Sequence, residues 1–211
     1  MRRALAIGTL LAATAAIGIG APAVADDDDA YENDQDQPYH TKIFLAAAYV
    51  SPLSKSDQNF DGVEDSVEAT DKLGWEAGVA GRFNPLVGFE LSYLNATHDV
   101  DFGGQKIGQA DFEPISATLE FHIVPTQVVD FWVGPTVSWV HWGDLKLVDG
   151  EIKKGSTDTA YGATVGLDIG LGPNFAITGA VRYLNAKADW GDFKDTKVDP
   201  LFARLGVAVR F

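Results

Sequence analysis

Cysteine is absent from the 211 residues, so no disulfide framework holds this chain together, and its stability must come from a sheet and its surroundings. Basic residues are scarce as well. Lys and Arg number 16 against 30 Asp and Glu, a formal charge of −14, and no basic stripe of the kind that grips phosphates is present, which excludes a nucleic-acid partner. Beyond the first 25 residues, long hydrophobic runs are nearly missing. The closest approach is 160–181, where Asp168 is the only charge. Gly170, Gly172 and Pro173 interrupt it, and its apolar residues alternate with period two, the signature of two strands and a turn. What is plentiful is 22 Gly with 12 Phe, 6 Tyr and 5 Trp, a composition suited to strands and turns.

Residues 1–25 read as an export address. Arg2 and Arg3 form a positive start, Ala4 to Ala21 is an apolar stretch of small residues, and Ala23-Val24-Ala25 is an A-x-A cleavage site before Asp26. Removing Arg2 and Arg3 from the 16 basic residues leaves 14 against 30 acidic, a mature charge of −16. The segment 26–39 then opens on Asp26-Asp27-Asp28-Asp29 and continues through Glu32, Asp34 and Asp36, an acidic disordered arm. The remaining 40–211 is expected to be one all-β domain.

A parity rule runs through that domain. Ile43, Leu45, Ala47 and Tyr49 begin a set of uncharged odd positions continued from Leu73 to Phe83, Val87 to Tyr93, Ile115 to Ile123, Val129 to Trp139, Tyr161 to Leu171, Phe175 to Tyr183 and Leu201 to Phe211. These are eight strands. The charged residues within them are Lys42, Glu76, Arg82, Glu90, Glu120, Asp130, Asp168, Arg182, Arg204 and Arg210, all even-numbered. One face is therefore apolar and the other polar. Alternation alone does not choose between a soluble barrel and a membrane one, but the aromatics do. Odd-numbered Trp75, Tyr93, Trp139, Tyr161 and Tyr183 lie toward one set of strand ends, and Phe83, Phe89, Phe121, Phe131, Phe175 and Phe211 toward the other. Two aromatic belts about 20 Å apart around an apolar band are the arrangement of an outer-membrane barrel. The expected fold is a transmembrane, antiparallel, up-and-down barrel of eight strands. Short turns at Asn84-Pro85-Leu86, 124–128 and Gly172-Pro173-Asn174 belong at the periplasmic rim. The long polar connections around 51–72, 95–113, 142–159 and 186–199 read as extracellular loops, which puts both termini in the periplasm.

From about Leu73 onward the sequence resembles the OmpW family of small outer-membrane barrels. The likeness is carried by Phe112-Glu113-Pro114-Ile115-Ser116-Ala117-Thr118-Leu119, by Tyr161-Gly162-Ala163-Thr164-Val165-Gly166-Leu167-Asp168, and by Val198-Asp199-Pro200 leading to Leu205-Gly206-Val207-Ala208-Val209-Arg210-Phe211. The last segment also resembles the signal by which outer-membrane barrels engage their assembly machinery, an alternating strand ending in Phe. The long first loop departs from the family. The resemblance implies passage of small hydrophobic molecules across the outer membrane, with membrane lipid and lipopolysaccharide as surroundings. The residues themselves limit the passage: eight strands enclose room for side chains or one small ligand, not a wide aqueous pore. Glu76, Arg82, Glu90, Glu120, His122, Asp130, Asp168, Arg182, Arg204 and Arg210 are expected to line the lumen, where the five acidic side chains and, with Lys42, five basic ones balance. Their alternative role is to pair with one another and hold the barrel shut.

Other chemistry is sparse. Ser138 and His141 differ in parity and face opposite sides of a strand, while Ser116 and Thr118 stand roughly 13 to 20 Å from His122 along its face. No nucleophile and base meet locally, so no enzymatic activity is expected. His40, His98 and His141 fall near strand ends or loops and read as plain polar residues. In the first loop, Asp57, Asn59, Asp61, Asp65 and Glu68 match a twelve-residue calcium spacing with Gly62 at its turn. Glu64 stands where that pattern has a hydrophobic residue, and the flanks are not helical, so an ordinary acidic loop is the competing reading. A surface-interaction barrel with a calcium-binding first loop and no transport is thus the alternative function. Finally, Pro114 and Pro135 fall within strands although proline cannot donate to a ladder. A tight hairpin at Pro125 is expected to place Pro135 across from Ile115 or Ala117 beside Pro114, weakening one seam into a lateral opening.

Overall fold

Strands of period two leave a row of N–H and C=O groups on each edge, and in a membrane those groups are satisfied only by closing the sheet on itself. The computed structural model describes residues 39–211 apart from 55, 61–62, 149, 151 and 191–192. The expected signal peptide and all but the last residue of the acidic arm lie outside the described residues. In chain order the strands are β1 (Thr41–Pro52), the short β2 (Ser56–Phe60) and β3 (Val63–Ala69), then β4 (Lys72–Asn84), β5 (Val87–Phe102), β6 (Gln105–Pro125) and β7 (Val129–Trp142). There follow the short β8 (Leu145–Leu147) and β9 (Ile152–Lys153), then β10 (Thr157–Gly170), β11 (Phe175–Asn185), the short β12 (Lys187–Trp190) and β13 (Phe193–Lys197), and β14 (Pro200–Arg210).

The eight long strands form a closed antiparallel ring in the order β1, β4, β5, β6, β7, β10, β11, β14 and back to β1. At the closure Lys42 pairs with Arg210 and Ile43 with Val209. His40 N–H donates to Phe211 O at 2.9 Å and Phe211 N–H donates to Thr41 O at 2.9 Å, which ties the chain's last residue to the first strand. Even positions point into the ring and odd ones out. In β1 every even residue from Lys42 to Val50 is buried while Ile43, Leu45, Ala47 and Tyr49 are exposed. The outward face carries Leu73 at 76%, Leu205 at 66% and Val207 at 64% exposure. A continuous apolar band that open to its surroundings requires lipid around it.

The two ends of the ring differ. At one, short turns join the strands: Asn84 Oδ1 accepts from Leu86 and Val87 N–H at 2.9 Å each, and Leu171 N–H donates to Phe175 O at 2.8 Å. At the other, segments expected as loops are paired strands. β5 and β6 run on past the aromatic belt to a tight turn at Gly103 and Gly104, whose φ of 57° and 76° fall in the left-handed region open to glycine. The hairpin β2–β3 adds to the edge of β5 through Val67, Glu68 and Ala69, and β8–β9 adds to β6 at Gly108 and Gln109. These segments keep strand geometry, but their outward positions, such as Thr97, Asp99, Asp101, Gln109 and Asp111, are polar, which is why they read as loops.

Candidate functional site

The lumen is built in three storeys by inward side chains from all eight long strands. Nearest the short turns, Asp130 of β7 receives Arg82 of β4, Tyr39 Oη at 3.0 Å and His122 Nδ1 at 2.8 Å. Asp168 of β10 accepts from Lys42 Nζ at 2.6 Å, and the same Tyr39 Oη, with one proton shared between the two carboxylates, stands 3.0 Å from it. Among the described residues Glu120 accepts no well-formed hydrogen bond, and His122 Nε2 stands 3.4 Å from it. Arg210 donates to Gly172 O at 2.9 Å. Tyr39, assigned to the disordered arm by its sequence, is instead buried in this storey at 7% exposure. Tyr39 therefore belongs to the barrel interior.

In the middle storey Glu76 and Glu90 face Arg182 and Arg204. Arg204 donates to Glu90 Oε2 at 2.5 Å and to Glu76 Oε1 at 3.1 Å, and Arg182 contacts Glu76 and Glu90 at 3.1 Å each. All four are buried. Charges this deep persist only when paired and hydrogen-bonded, which the bidentate guanidinium geometry supplies. Hydroxyls complete the layer: Ser116 with Ser138 at 2.7 Å, Thr118 with Thr136 at 2.8 Å and Thr136 with Thr164 at 2.7 Å, the last also accepting from Arg182 Nε at 3.0 Å.

Beyond the hydroxyls, toward the long hairpins, the lumen turns apolar. Ala48, Val50, Leu94, Phe112, Val140, Trp142, Ala160, Leu184 and Phe202 form one buried cluster. Phe112 lies 4.8 Å from the Trp142 ring and 6.1 Å from that of Phe202. Charged even positions alone do not mark this storey, and the expected lumen lining omits it. Its signal is nevertheless present: all nine residues just named sit on the even-numbered, inward face.

The sequence matches the family described as outer membrane protein beta-barrel domain over residues 9–211. The chain belongs to this family. No curated protein matches it. Among solved structures it is similar to the outer membrane protein OprG from Pseudomonas aeruginosa, at 19% identity over 84% of this chain and 98% of that one, with a TM-score of 0.73. It is also similar to outer membrane protein AlkL in DMPC bilayers, at 16% identity over 89% and 97% of the two chains, TM-score 0.59. Neisserial surface protein A aligns at 16% identity over 81% and 97%, TM-score 0.56. At these identities the likeness is one of fold.

In this outer-membrane barrel the two prolines do not meet. Pro114 is opposite Val140, and the register places Pro135 against Leu119, five residues further along β6, roughly 16 Å away. The expected single weakened seam is therefore corrected: the β6–β7 hairpin turns further along the chain than expected, with Pro125 itself paired to Asp130, and the one-residue irregularity between His122 and Val124 restores outward-to-outward pairing. Each proline interrupts a different seam. Between β5 and β6 the pairs Tyr93–Ile115 and Ala96–Phe112 flank residues 94–95 and 113–114, which form no ladder pair. Between β6 and β7 the pairs Thr118–Thr136 and Phe121–Val133 flank a second gap at 119–120 and 134–135. There Leu119 O turns against Gly134, where a Cβ would come within 1.7 Å of it, so only glycine fits.

Other singled-out residues are placed apart. Ser138 is hydrogen-bonded to Ser116, and His141, on the outer face, to Thr157 at 3.0 Å. His98 bonds Thr70 O at 2.7 Å. Of the calcium spacing, Asp61 lies outside the described residues. The backbone bearing Asp57, Asn59, Asp65 and Glu68 is the extended pair β2–β3, with Asp57 opposite Ser66 and Asn59 opposite Glu64. Beyond the belt on the outer face, Asp99 takes Lys106 and Lys72 at 2.7 Å each. Hydrogen bonds from Lys106, then Lys72 and Gln109, hold its carboxyl far below the usual Asp range.

Proposed function

We propose that this barrel facilitates passage of small apolar molecules across the outer membrane. The reading is carried by the change of lining along the lumen, apolar toward the long hairpins and closed by paired charges toward the short turns. In this reading the long hairpins face the cell exterior, and the short turns and both termini face the periplasm. An apolar molecule partitions into the storey of Leu94, Phe112 and Leu184 because burial there removes its surface from water. The charge network below offers such a molecule no favourable path, since entering it would mean parting buried ion pairs. The way out is sideways into lipid, through a proline-weakened seam. Pro114 lies in the apolar storey's own wall, flanked inward by Leu94 and Phe112, and Pro135 weakens the next seam lower down. The protein is non-enzymatic in this account. Its assembly partners are the barrel assembly machinery, engaged through β14 and Phe211, and lipopolysaccharide around its outer belt.

The test is uptake into liposomes. Vesicles holding the barrel should take up an apolar solute several times faster than empty vesicles, and a polar solute of the same size no faster. Equal rates with and without protein for both solutes would remove the proposal. A surface-interaction role is the second reading, favoured by side chains that fill the lumen in all three storeys and by hairpins that extend the sheet past the belt. Calcium heat measured by calorimetry, lost in the Asp61→Ala, Glu68→Ala double variant, would support that reading and its calcium-binding first hairpin.

A further inference from the structure

Tyr39 is the first described residue, and the ladder of the barrel begins just after it, where His40 N–H donates to Phe211 O and Arg82 N–H donates to His40 O, both at 2.9 Å. Its side chain nevertheless enters the lumen and spans it. The hydroxyl stands 3.0 Å from both Asp130 of β7 and Asp168 of β10. Its ring meets three cations from β4, β14 and β1: Arg82 at 4.4 Å, Arg210 at 5.4 Å and Lys42 at 5.8 Å from its centroid. An aromatic ring among cations with its hydroxyl between carboxylates satisfies both signs of the surrounding charge at once.

Each carboxylate that its hydroxyl faces has another partner. Asp130 keeps Arg82 and His122, and Asp168 keeps Lys42. Tyr39 is thus the sole partner of neither carboxylate, and withdrawing it strands neither. We propose that Tyr39 is a stopper that closes the short-turn end of the lumen to water and polar solutes. The stopper works independently of any lateral route for apolar molecules, because it closes the polar end only.

The chain has no native cysteine, so a single introduced thiol is an unambiguous reporter of access. Ala176 is an inward residue at the short-turn end of β11, paired with Ala208, the next inward position from Arg210 on β14, and is 1% exposed. Ala160, 0% exposed, lies in the apolar storey at the other end. In lipid vesicles, modification of an Ala176→Cys barrel by a charged methanethiosulfonate should be slow with Tyr39 present. Adding Tyr39→Ala should raise the rate at least about tenfold, because it removes both the ring that fills this end and the hydroxyl's hydrogen bonding to charged groups. Tyr39→Phe, which keeps the ring, should give a smaller rise. An Ala160→Cys reporter should not respond to either change. Unchanged labelling at position 176 in Tyr39→Ala would overturn the stopper. A parallel rise at position 160 would overturn it too, because it would mean general loosening of the barrel.

Discussion

Arg204 meets Glu90, 114 residues earlier in the chain, and Arg182 reaches the same carboxylate across the lumen from β11 to β5. Because each guanidinium serves two carboxylates, truncating one leaves buried charge unpaired. Arg204→Ala should destabilise the barrel by about 3–5 kcal/mol, read as a lower urea midpoint for unfolding from lipid vesicles, whereas an unchanged midpoint would mean the network bears no load. Outside the membrane-spanning segments, the depressed Asp99 carboxyl sets a pH effect. Its link to Lys106 and Lys72 is fully present above the ordinary Asp value of about 3.9 and is lost only as pH falls through the lower folded value. Carboxyl NMR should find Asp99 titrating below other exposed Asp residues, and Lys106→Ala should move it back up; an ordinary midpoint in the parent protein would refute the link. Which way each of these side chains points is legible in the order of amino acids. Glu120, Asp168, Arg182 and Arg204 are even-numbered and buried, while Leu167 and Val207 are odd-numbered and exposed. Partnership is not legible there, because contacts such as Arg204 with Glu90 follow from ring closure and stagger, which no local pattern records.

At the scale of elements, the eight spanning strands are readable because lipid on one side and a narrow lumen on the other enforce strict alternation. The hairpins past the belt are not, since no lipid lies on their outward face, which turns polar, and only inward residues such as Val100, Ala110, Leu145 and Leu147 stay apolar. β5 continues to Phe102 and β6 starts at Gln105, and the Gly103-Gly104 pair is the one local sign of the turn between them. The prolines show the same limit. That each weakens a ladder follows from its missing N–H, but which seam it weakens depends on register. Pro135 also pairs with Ala163 on its other side, so β7 remains anchored while its edge toward β6 is open. Pro135→Val, with Gly134 kept, should restore a donor toward Leu119 and stabilise the barrel by roughly 0.5–1.5 kcal/mol. It should also slow uptake of apolar solutes if that seam is the exit. A higher unfolding midpoint with unchanged uptake would assign the exit to the Pro114 seam.

Over the whole molecule, a single chain makes a closed outer-membrane ring whose interior changes character along its axis, from charge pairs with Phe44 and Trp132 packed among them, through hydroxyls, to an apolar storey. An interior held together by ion pairs alone would suffice to keep an eight-stranded barrel shut, and the apolar storey is what argues for a passenger. The most direct measurement is photo-crosslinking in vesicles with an alkane bearing a diazirine, followed by mapping of the labelled residues. The account predicts labels on inward residues of the apolar storey, Leu94, Phe112, Trp142 and Leu184, and on residues flanking a proline seam. Labels confined to outward, odd-numbered positions such as Leu45, Leu205 and Val207 would place the alkane only in the surrounding lipid and contradict passage through the barrel.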